Sequence, residues 1–300
     1  MRVASLKSYK PLRTKVGHAT DKTAKTGCTV LLFDRPAVCS AHVAGGAPGT
    51  REIALLDPSC GNDSVHGLLL TGGSAFGLAA ADGVMNYLFE RGIGFAVGDD
   101  RVPIVPAAVI YDRSVGKPAA PGAKDGYKAC NNAGYDVTNR RNIGAGIGAT
   151  VGKFSKKLRR DEGGISVICE RIGGITMGAV MVVNAVGNVL NPFTGEIIAG
   201  AEDRRGNKIH YSGWESGPVP GANTTIGAIV TNAALTKSEA RRVAIMAHDG
   251  LAKTIYPSHT LHDGDTIFAA STGNKRAELN DLGIWAAEIS ARAVIRAVTG

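Results

Sequence analysis

The stretch that decides the fold is GANTTIGAIVTN, residues 221–232, in which a small polar junction runs directly into an apolar segment. Such a segment predicts a buried strand that begins near Thr224. If the chain is cut between Asn223 and Thr224, Thr224 gains a free α-amine beside its hydroxyl nucleophile. A free α-amine titrates near ~7.7–8.0, so it can act as the base for that hydroxyl at neutral pH. Thr224 is therefore a candidate nucleophile, although threonines at strand starts are also common without any such role.

The chain has 300 residues, of which 44% are apolar and 20% are charged, and this composition suits one large or two modest globular domains. The sequence contains neither an internal repeat nor a break in composition, so we expect a single domain over residues 1–300. No apolar run reaches the about 18 residues of a membrane span, and segment 1–15 lacks the apolar centre of a secretory signal. We therefore expect a cytoplasmic protein with no membrane partner.

The cysteines and the charge argue against two further classes of protein. The five cysteines are scattered, with no C-x-x-C pair, so we expect buried free thiols and no metal site: Cys28, Cys39, Cys60, Cys130 and Cys169. The formal net charge is +8, with basic residues concentrated at 153–160 and 204–208. Because few aromatic residues interleave with these charges, a solvated basic face is favoured over a nucleic-acid surface.

Local patterns predict a mixed α/β order of elements. Residues 28–44 predict two strands of a hairpin with its turn at Arg35-Pro36, and residues 1–27 predict an irregular lead-in. Thr236, followed three residues later by Glu239, predicts a capping box at the start of a helix.

Two glycine-rich segments resemble ligand-binding loops. In LTGGSAFGL, residues 70–78, Gly72, Gly73 and Ser74 stand between a predicted strand and a predicted helix. They form either a substrate-binding site at a helix N-terminus or a tight packing turn, and they do not match the dinucleotide fingerprint. Residues 144–153 lack the Gly and the Ser or Thr that a Walker A loop requires, so nucleotide binding is not expected.

Polar residues in two other places are candidates for a site. Asn184 lies in an apolar run and is either a structural tie or a directed hydrogen-bond donor. Asp263-Gly264-Asp265 precedes a predicted strand, and on its own it would be interpreted as a solvated turn.

Six segments together resemble the L-aminopeptidase/D-esterase (DmpA-type) family, which includes the β-peptidyl aminopeptidases and the nylon-oligomer hydrolases. No segment is specific alone, but all six occur in order over nearly the whole chain from Cys28. They are TGGSAFGL (71–78), AVIYD (108–112), GAGIGATVGK (144–153), VVN (182–184), NTTI (223–226) and DGDT (263–266). The resemblance implies a four-layer αββα sandwich, the fold shared with ornithine acetyltransferases, and an autoprocessed amide hydrolase.

The resemblance also implies a set of site residues. Cleavage is expected between Asn223 and Thr224, giving chains of residues 1–223 and 224–300. The Asn-Thr junction and the D-G-D pattern resemble the nylon-oligomer (6-aminohexanoate oligomer) hydrolase branch. The implied catalytic residues are Thr224, Asp263, Asp265, Asn184, Lys153 and Tyr111, and the implied substrate-binding residues are Gly72, Gly73 and Ser74.

This set agrees with the chemistry that an N-terminal threonine needs. Its ammonium requires nearby carboxylates, and a tetrahedral oxyanion requires fixed donors. No metal and no organic cofactor is expected. The resemblance further implies a peptide-like or other linear amide as substrate and a homo-oligomer, a tetramer or larger. If the substrate carries an ammonium group, Asp99, Asp100 and Asp112 are the candidates to bind it.

Two alternatives stay open on the sequence alone. The first is an acyltransferase of the ornithine-acetyltransferase type, which also cleaves itself before a threonine and would transfer an acyl group to an added amine. The second is a non-catalytic binding protein of the same fold, which would remain one chain and hydrolyse no amide.

Overall fold

The computed structural model describes residues 3–137, 140–212 and 223–300. Within these residues the strands are β1 (Ala4–Leu6), β2 (Thr14–Asp21), β3 (Thr26–Val43), β4 (Thr50–Arg51), β5 (Ser64–Thr71), β6 (Phe95–Val97), β7 (Asp100–Val102), β8 (Ala107–Val109), β9 (Thr150–Val151), β10 (Asp161–Glu162), β11 (Gly164–Ile172), β12 (Ile175–Asn184), β13 (Asn188–Leu190), β14 (Ile197–Ala199), β15 (Thr224–Ala233), β16 (Ile255–Tyr256) and β17 (Thr266–Lys275). The α-helices are α1 (Ala80–Phe89), α2 (Ala123–Asn131), α3 (Lys237–Thr254) and α4 (Leu279–Thr299).

The long strand β3 connects the two halves of the main sheet. Hydrogen bonds order this sheet β1-β11-β12-β15-β17-β3-β5-β8-β4, and β2 also pairs with β3. The first part of β3 pairs with β2 and β5, whereas its last residues pair with β17. The register against β5 shifts between Leu32 and Ala37, where the strand bends from one half to the other.

Three apolar clusters show how the layers stack. One cluster combines residues of both sheet halves, such as Leu68 of β5 and Phe268 of β17, so the halves pack face to face. A second cluster joins the outer face of β12 and β15 to α3 and α4. A third joins the outer face of β3 and β5 to α1 and α2. The layer order is helix, sheet, sheet, helix, which confirms the predicted αββα sandwich.

Strand β15 is buried on both faces because both neighbouring layers are apolar. Ile226, Ala228 and Val230 point between the sheet halves, while Ile229 belongs to the cluster under α3 and α4. This alternation follows the two-residue period of a strand. Strand β15 pairs antiparallel with β12 and parallel with β17. Thr224 therefore begins a fully buried strand that lies between β12 and β17.

The predicted start of α3 is confirmed. The Thr236 side chain accepts a hydrogen bond from the Glu239 N–H, and the Glu239 carboxylate accepts one from the Thr236 N–H at 2.7 Å. The helix runs from Lys237 to Thr254, so the cap fixes where the chain turns back over β15 and β17.

Two predictions for the N-terminal part were wrong. Residues 14–21 form a regular strand that pairs with β3, not an irregular lead-in. The segments on either side of Arg35-Pro36 belong to one bent strand, not a hairpin. Arg35 and Pro36 are exposed where β3 changes partners, a place where proline's missing N–H leaves no sheet hydrogen bond unmade.

The cysteines and the basic segments are largely as expected. Cys28, Cys39, Cys130 and Cys169 are buried free thiols, whereas Cys60 is only partly buried. The two basic segments meet across paired acidic residues: Lys208 lies 2.6 Å from Asp161 and 2.8 Å from Glu202, which also pairs with Arg159. Among the described residues, no helix is long and apolar enough to cross a membrane.

Candidate active site

The junction at Thr224 lies where β15 enters the core. Thr224 pairs in register with Asn184 at the end of β12, and Asn223 forms a parallel bridge with Asp263. The Asn223 carbonyl accepts a hydrogen bond from the Gly264 N–H at 3.0 Å. The Thr224 hydroxyl donates to the same carbonyl and lies 3.2 Å from the Gly264 nitrogen. The hydroxyl is therefore held against the peptide bond that precedes it.

The two aspartates of the D-G-D segment are buried on either side of Gly264. One oxygen of Asp265 accepts the Thr225 N–H at 2.6 Å, which ties this carboxylate to the start of β15. Asp263 accepts the N–H and the hydroxyl of Thr260 at 2.9 and 2.6 Å. Burial and the neighbouring charge of Asp265 raise the pKa of Asp263 to about 6. The predicted pair is thus brought to the junction, with Asp265 bound to the backbone next to Thr224.

Lys153, Asn184 and Tyr111 meet across the end of β12. Lys153 Nζ lies 2.8 Å from Asn184 Oδ1 and 2.9 Å from the Asn184 carbonyl. Asn184 Oδ1 also accepts the Thr150 N–H at 3.0 Å, and its amide donates to the Tyr111 carbonyl at 3.1 Å. Tyr111 therefore contacts Asn184 through its backbone carbonyl.

The electrostatics of Lys153 connect it to the aspartates. Burial of its ammonium lowers the pKa of Lys153 to about 7, and the negative charges of Asp263, Asp112 and Asp265 oppose this shift. A lysine that titrates near neutral pH can serve either as a cation or as a proton carrier.

The turn at Gly72, Gly73 and Ser74 uses its N–H groups within the protein. Gly72 donates to the Gly27 carbonyl at 2.9 Å, Gly73 to Asp112 at 2.8 Å, and Ser74 to the Ile110 carbonyl at 2.9 Å. A short 3-10 helix, Ser74–Ala79, separates the turn from α1. Asp112 is buried beside Tyr111, so it ties the turn to the strand end that contacts Asn184.

We expect Gly72→Ala to destabilise the protein. A Cβ at Gly72 would lie 2.1 Å from Asp112 Oδ2 and 2.5 Å from Thr26 Oγ1, and moving Asp112 would break its bond to Gly73. Overpacking of this kind costs about 1–3 kcal/mol in the free energy of unfolding. Gly61→Ala is the control, because a Cβ there meets no heavy atom within 4 Å. Equal midpoints of urea unfolding for the two variants would contradict the packing role.

The remaining candidates for binding a substrate ammonium lie in different settings. Asp112 is buried and accepts the Gly73 N–H, whereas Asp99 and Asp100 are exposed on the β6–β7 hairpin.

Sequence reasoning missed His259, Thr260 and the Gly264 N–H. His259 Nδ1 lies 2.7 Å from Asp265 Oδ2, and the His259 N–H reaches the same oxygen at 3.1 Å. The available signal was the pair His259-Thr260, which precedes the D-G-D segment with two residues between. Both residues act on the aspartates through a loop conformation that no periodic pattern predicts.

Comparison with known proteins identifies relatives that cover most of the chain. The profile of peptidase family S58 matches residues 14–300. An uncharacterized aminopeptidase of Mycobacterium tuberculosis is 45% identical over 261 residues, covering 82% of this chain and 73% of that protein. A 6-aminohexanoate-oligomer endohydrolase of Agromyces sp. is 32% identical over 305 residues, covering 94% of this chain and 83% of that protein.

Solved structures share the fold at lower sequence identity. A β-aminopeptidase of Burkholderia sp. superposes with a TM-score of 0.72 at 20% identity, over 95% of this chain and 83% of that one. The L-aminopeptidase D-Ala-esterase/amidase of Ochrobactrum anthropi, described as a variant of the Ntn hydrolase fold, gives 0.70 at 17% identity, with coverage of 95% and 83%. With the family profile and the relatives above, the resemblance carried by the six segments is confirmed: the chain belongs to peptidase family S58 and is an enzyme that hydrolyses amide bonds.

Proposed function

We propose that this enzyme uses Thr224 as an N-terminal nucleophile, after cutting itself between Asn223 and Thr224. The observation that carries the proposal is the placement of the Thr224 hydroxyl against the Asn223 carbonyl, with the Gly264 N–H on the same oxygen. A donor fixed on a carbonyl stabilises the oxyanion that forms when that carbonyl is attacked. The products would be chains of residues 1–223 and 224–300 within one domain.

The proposed cut proceeds in two steps. The Thr224 oxygen attacks the Asn223 carbonyl carbon, the C–N bond breaks, and the hydroxyl proton passes to the released amine. The peptide bond is thereby replaced by an ester. Water then hydrolyses the ester, leaving a carboxyl group on Asn223 and a free hydroxyl and α-amine on Thr224.

In turnover the α-amine of Thr224 takes the hydroxyl proton while the oxygen attacks the substrate carbonyl. The ammonium that forms lies beside Asp265, because Asp265 binds the N–H of Thr225, the next residue. The negative charge of Asp263 also stabilises this ammonium. Lys153, held by Asn184, supplies positive charge to the oxyanion. We assign Asn184 and Tyr111 to holding Lys153, and Gly72, Gly73 and Ser74 to shaping the adjoining wall through Asp112.

We further propose that the substrates are linear amides, either peptide-like or of the 6-aminohexanoate type. The similarity to an aminopeptidase and to a 6-aminohexanoate-oligomer endohydrolase supports this range. The test is a panel of α-aminoacyl, β-aminoacyl and 6-aminohexanoyl amides, each with a free or an acetylated amine. Hydrolysis of free amines only would assign an aminopeptidase, and hydrolysis of both would assign an endohydrolase. Wild-type protein that hydrolyses none of them would refute the substrate class.

An acyltransferase is not favoured, because the family profile and the relatives above are peptidases and hydrolases. Addition of a free amine acceptor to the same assay separates the two reactions. We expect the acid product to form at an unchanged rate.

We also propose a homo-oligomer, a tetramer or larger, as the family resemblance implies, and a cytoplasmic location, as expected from the sequence. Light scattering on the purified protein and fractionation of the producing cells test these two points separately.

On the acid side the value of kcat/KM is expected to fall in two steps. The first lies near ~7.7–8.0, where the Thr224 α-amine becomes protonated and can no longer accept the hydroxyl proton, and the second lies at about 6. Because burial and Asp265 raise the pKa of Asp263 to about 6, Asp263 is ionised above this pH and becomes protonated below it. Protonation removes a negative charge that stabilises the Thr224 ammonium. Measurement of kcat/KM from about pH 4.5 to about pH 9 shows whether the fall at about pH 6 occurs. A profile with no second fall down to pH 5 would contradict the role of Asp263.

A further inference from the structure

We propose that His259 is a positioning residue for this reaction: its imidazole and its backbone N–H hold Asp265 as the carboxylate that faces the start of β15. The inference rests on the proposed function of Thr224, because Asp265 acts beside that residue. It assigns a role to a side chain outside the predicted set.

The geometry places two donors of one residue on one oxygen. His259 Nδ1 lies 2.7 Å from Asp265 Oδ2, and the His259 backbone nitrogen lies 3.1 Å from the same atom. The other oxygen, Oδ1, accepts the Thr225 N–H at 2.6 Å. Asp265 is 2% exposed, so these three bonds fix the orientation of a buried carboxylate. Donors on both oxygens suit the ionised form, which only accepts hydrogen bonds.

The backbone of His259 is unusual in a way that this contact explains. His259 has φ of +55°, in the left-handed region that a residue with a Cβ rarely adopts. This conformation directs both the N–H and the imidazole of His259 toward Asp265. Backbone strain kept at one residue is typical of functional sites, where surrounding contacts compensate for its cost.

Of three neighbouring imidazoles, only that of His259 contacts a carboxylate among the residues that the structure describes. The His259 ring meets the His248 ring of α3 edge to face with centroids 4.8 Å apart, and His248 meets His42 of β3 at 5.2 Å. Burial, followed by the charge of His259, lowers the pKa of His248 to about 4; burial, Arg241 and His259 lower the pKa of His42. Both therefore stay neutral near pH 7.

His259 behaves differently because of its partner. Burial alone would lower the pKa of His259, but the hydrogen bond and charge of Asp265, with a further contribution from Asp263, raise it above the ordinary value. Contact with Asp265 therefore favours the protonated form of His259, in contrast to His42 and His248. Loss of positive charge at His259 would raise the pKa of Asp263 further, because the two side chains interact electrostatically.

The first test compares His259→Gly with His259→Asn. Both residues tolerate a positive φ, so the backbone is matched, and the amide of asparagine can replace the Nδ1–H donor. We expect His259→Gly to lower the plateau of kcat/KM by about 10–10²-fold, the range for a lost charge-assisted hydrogen bond. We expect its kcat/KM to fall on the acid side at a pH about one unit higher than in wild type. His259→Asn should return the maximum of kcat/KM to within about threefold of wild type, because the amide restores the hydrogen bond. Its kcat/KM should still fall at the higher pH, because the charge is missing in this variant too.

His42→Asn is the matched control, because His42 belongs to the same ring cluster without touching a carboxylate. We expect His42→Asn to match wild type both in the maximum of kcat/KM and in the pH at which kcat/KM falls on the acid side. The proposal would be overturned if kcat/KM of His259→Gly is lower at every pH but falls at the same pH as wild type, and if His259→Asn does not restore its maximum.

The second test does not depend on activity. Histidine labelled with ¹³C is titrated by NMR in the unprocessed Thr224→Ala chain, with and without Asp265→Asn. We expect the pKa of His259 to lie above 6.5 in the first chain and to fall below 6.5 in the second. An unchanged value would overturn the coupling between His259 and Asp265. Wild-type protein that neither cleaves itself nor hydrolyses an amide would instead refute the role of Thr224, whatever the titration shows.

Discussion

Thr224→Ala is expected to remain one chain of 31.0 kDa, whereas wild type is expected to separate under denaturing conditions into two. The wild-type chains should have masses of about 23 and 8 kDa, in proportion to their lengths. The variant lacks the hydroxyl that attacks the Asn223 carbonyl, and it lacks the nucleophile for substrate. Loss of a nucleophile removes most of the catalysed rate, so hydrolysis should fall by about 10⁴-fold or more.

Two control variants distinguish this chemistry from misfolding. Thr224→Ser keeps a hydroxyl at the same position and should still be cut. Thr225→Ala removes the neighbouring buried hydroxyl but keeps the N–H that Asp265 binds, and it should also be cut. Mass spectrometry of the small chain identifies its first residue. A small chain that begins at Thr225, or active wild-type protein that stays uncut, would refute the mechanism.

After the cut, the two chains should stay together in native buffer. The segment from Thr224 provides β15, α3, β17 and α4, which occupy the centre of one sheet half and the helix layer that covers it. Their separation would expose the apolar faces of β12 and β3 to water, which is strongly unfavourable. Gel filtration should therefore elute both chains in one peak.

The parts of the fold that follow from local signals could be predicted from the sequence. The apolar run after Thr224 gave a buried strand, and Thr236 with Glu239 gave the start of α3, because strand period and capping depend on neighbouring residues. The bend in β3 could not be predicted in this way. Arg35-Pro36 has the composition of a turn, and only pairing with β5 on one side and β17 on the other makes it a bend.

The residues of the candidate site also differ in whether they could be predicted from the sequence. Thr224 is a candidate from its chemistry, whereas the two aspartates were implied by the family resemblance, because their segment alone indicates a solvated turn. The structure brings the three residues together through the bridge between Asn223 and Asp263. The detailed partners depend on long-range contacts: Asn184 meets Tyr111 through a backbone carbonyl. His259 was missed because its role depends on a left-handed backbone conformation that its residue type does not favour.

Asp265→Asn is the substitution with the second largest expected effect. Asp265 accepts hydrogen bonds on both oxygens, from the Thr225 N–H and from two groups of His259. An asparagine has one oxygen and one NH₂ group, so one of these donors would face another donor inside the protein. The substitution also removes a negative charge beside the expected Thr224 ammonium, since Asp265 binds the N–H of the next residue.

We therefore expect Asp265→Asn to mature slowly or not at all, and any matured enzyme to lose about 10²-fold or more in kcat/KM, the effect of removing a positioned acid–base group. Asp249→Asn removes the same charge from an exposed site on α3 and should match wild type in both measurements. Mass spectrometry during refolding follows maturation, and circular dichroism checks that both variants are folded. If folded Asp265→Asn is cut and turns over as fast as Asp249→Asn, the ammonium is stabilised by Asp263 alone, and Asp265 has no part in the reaction.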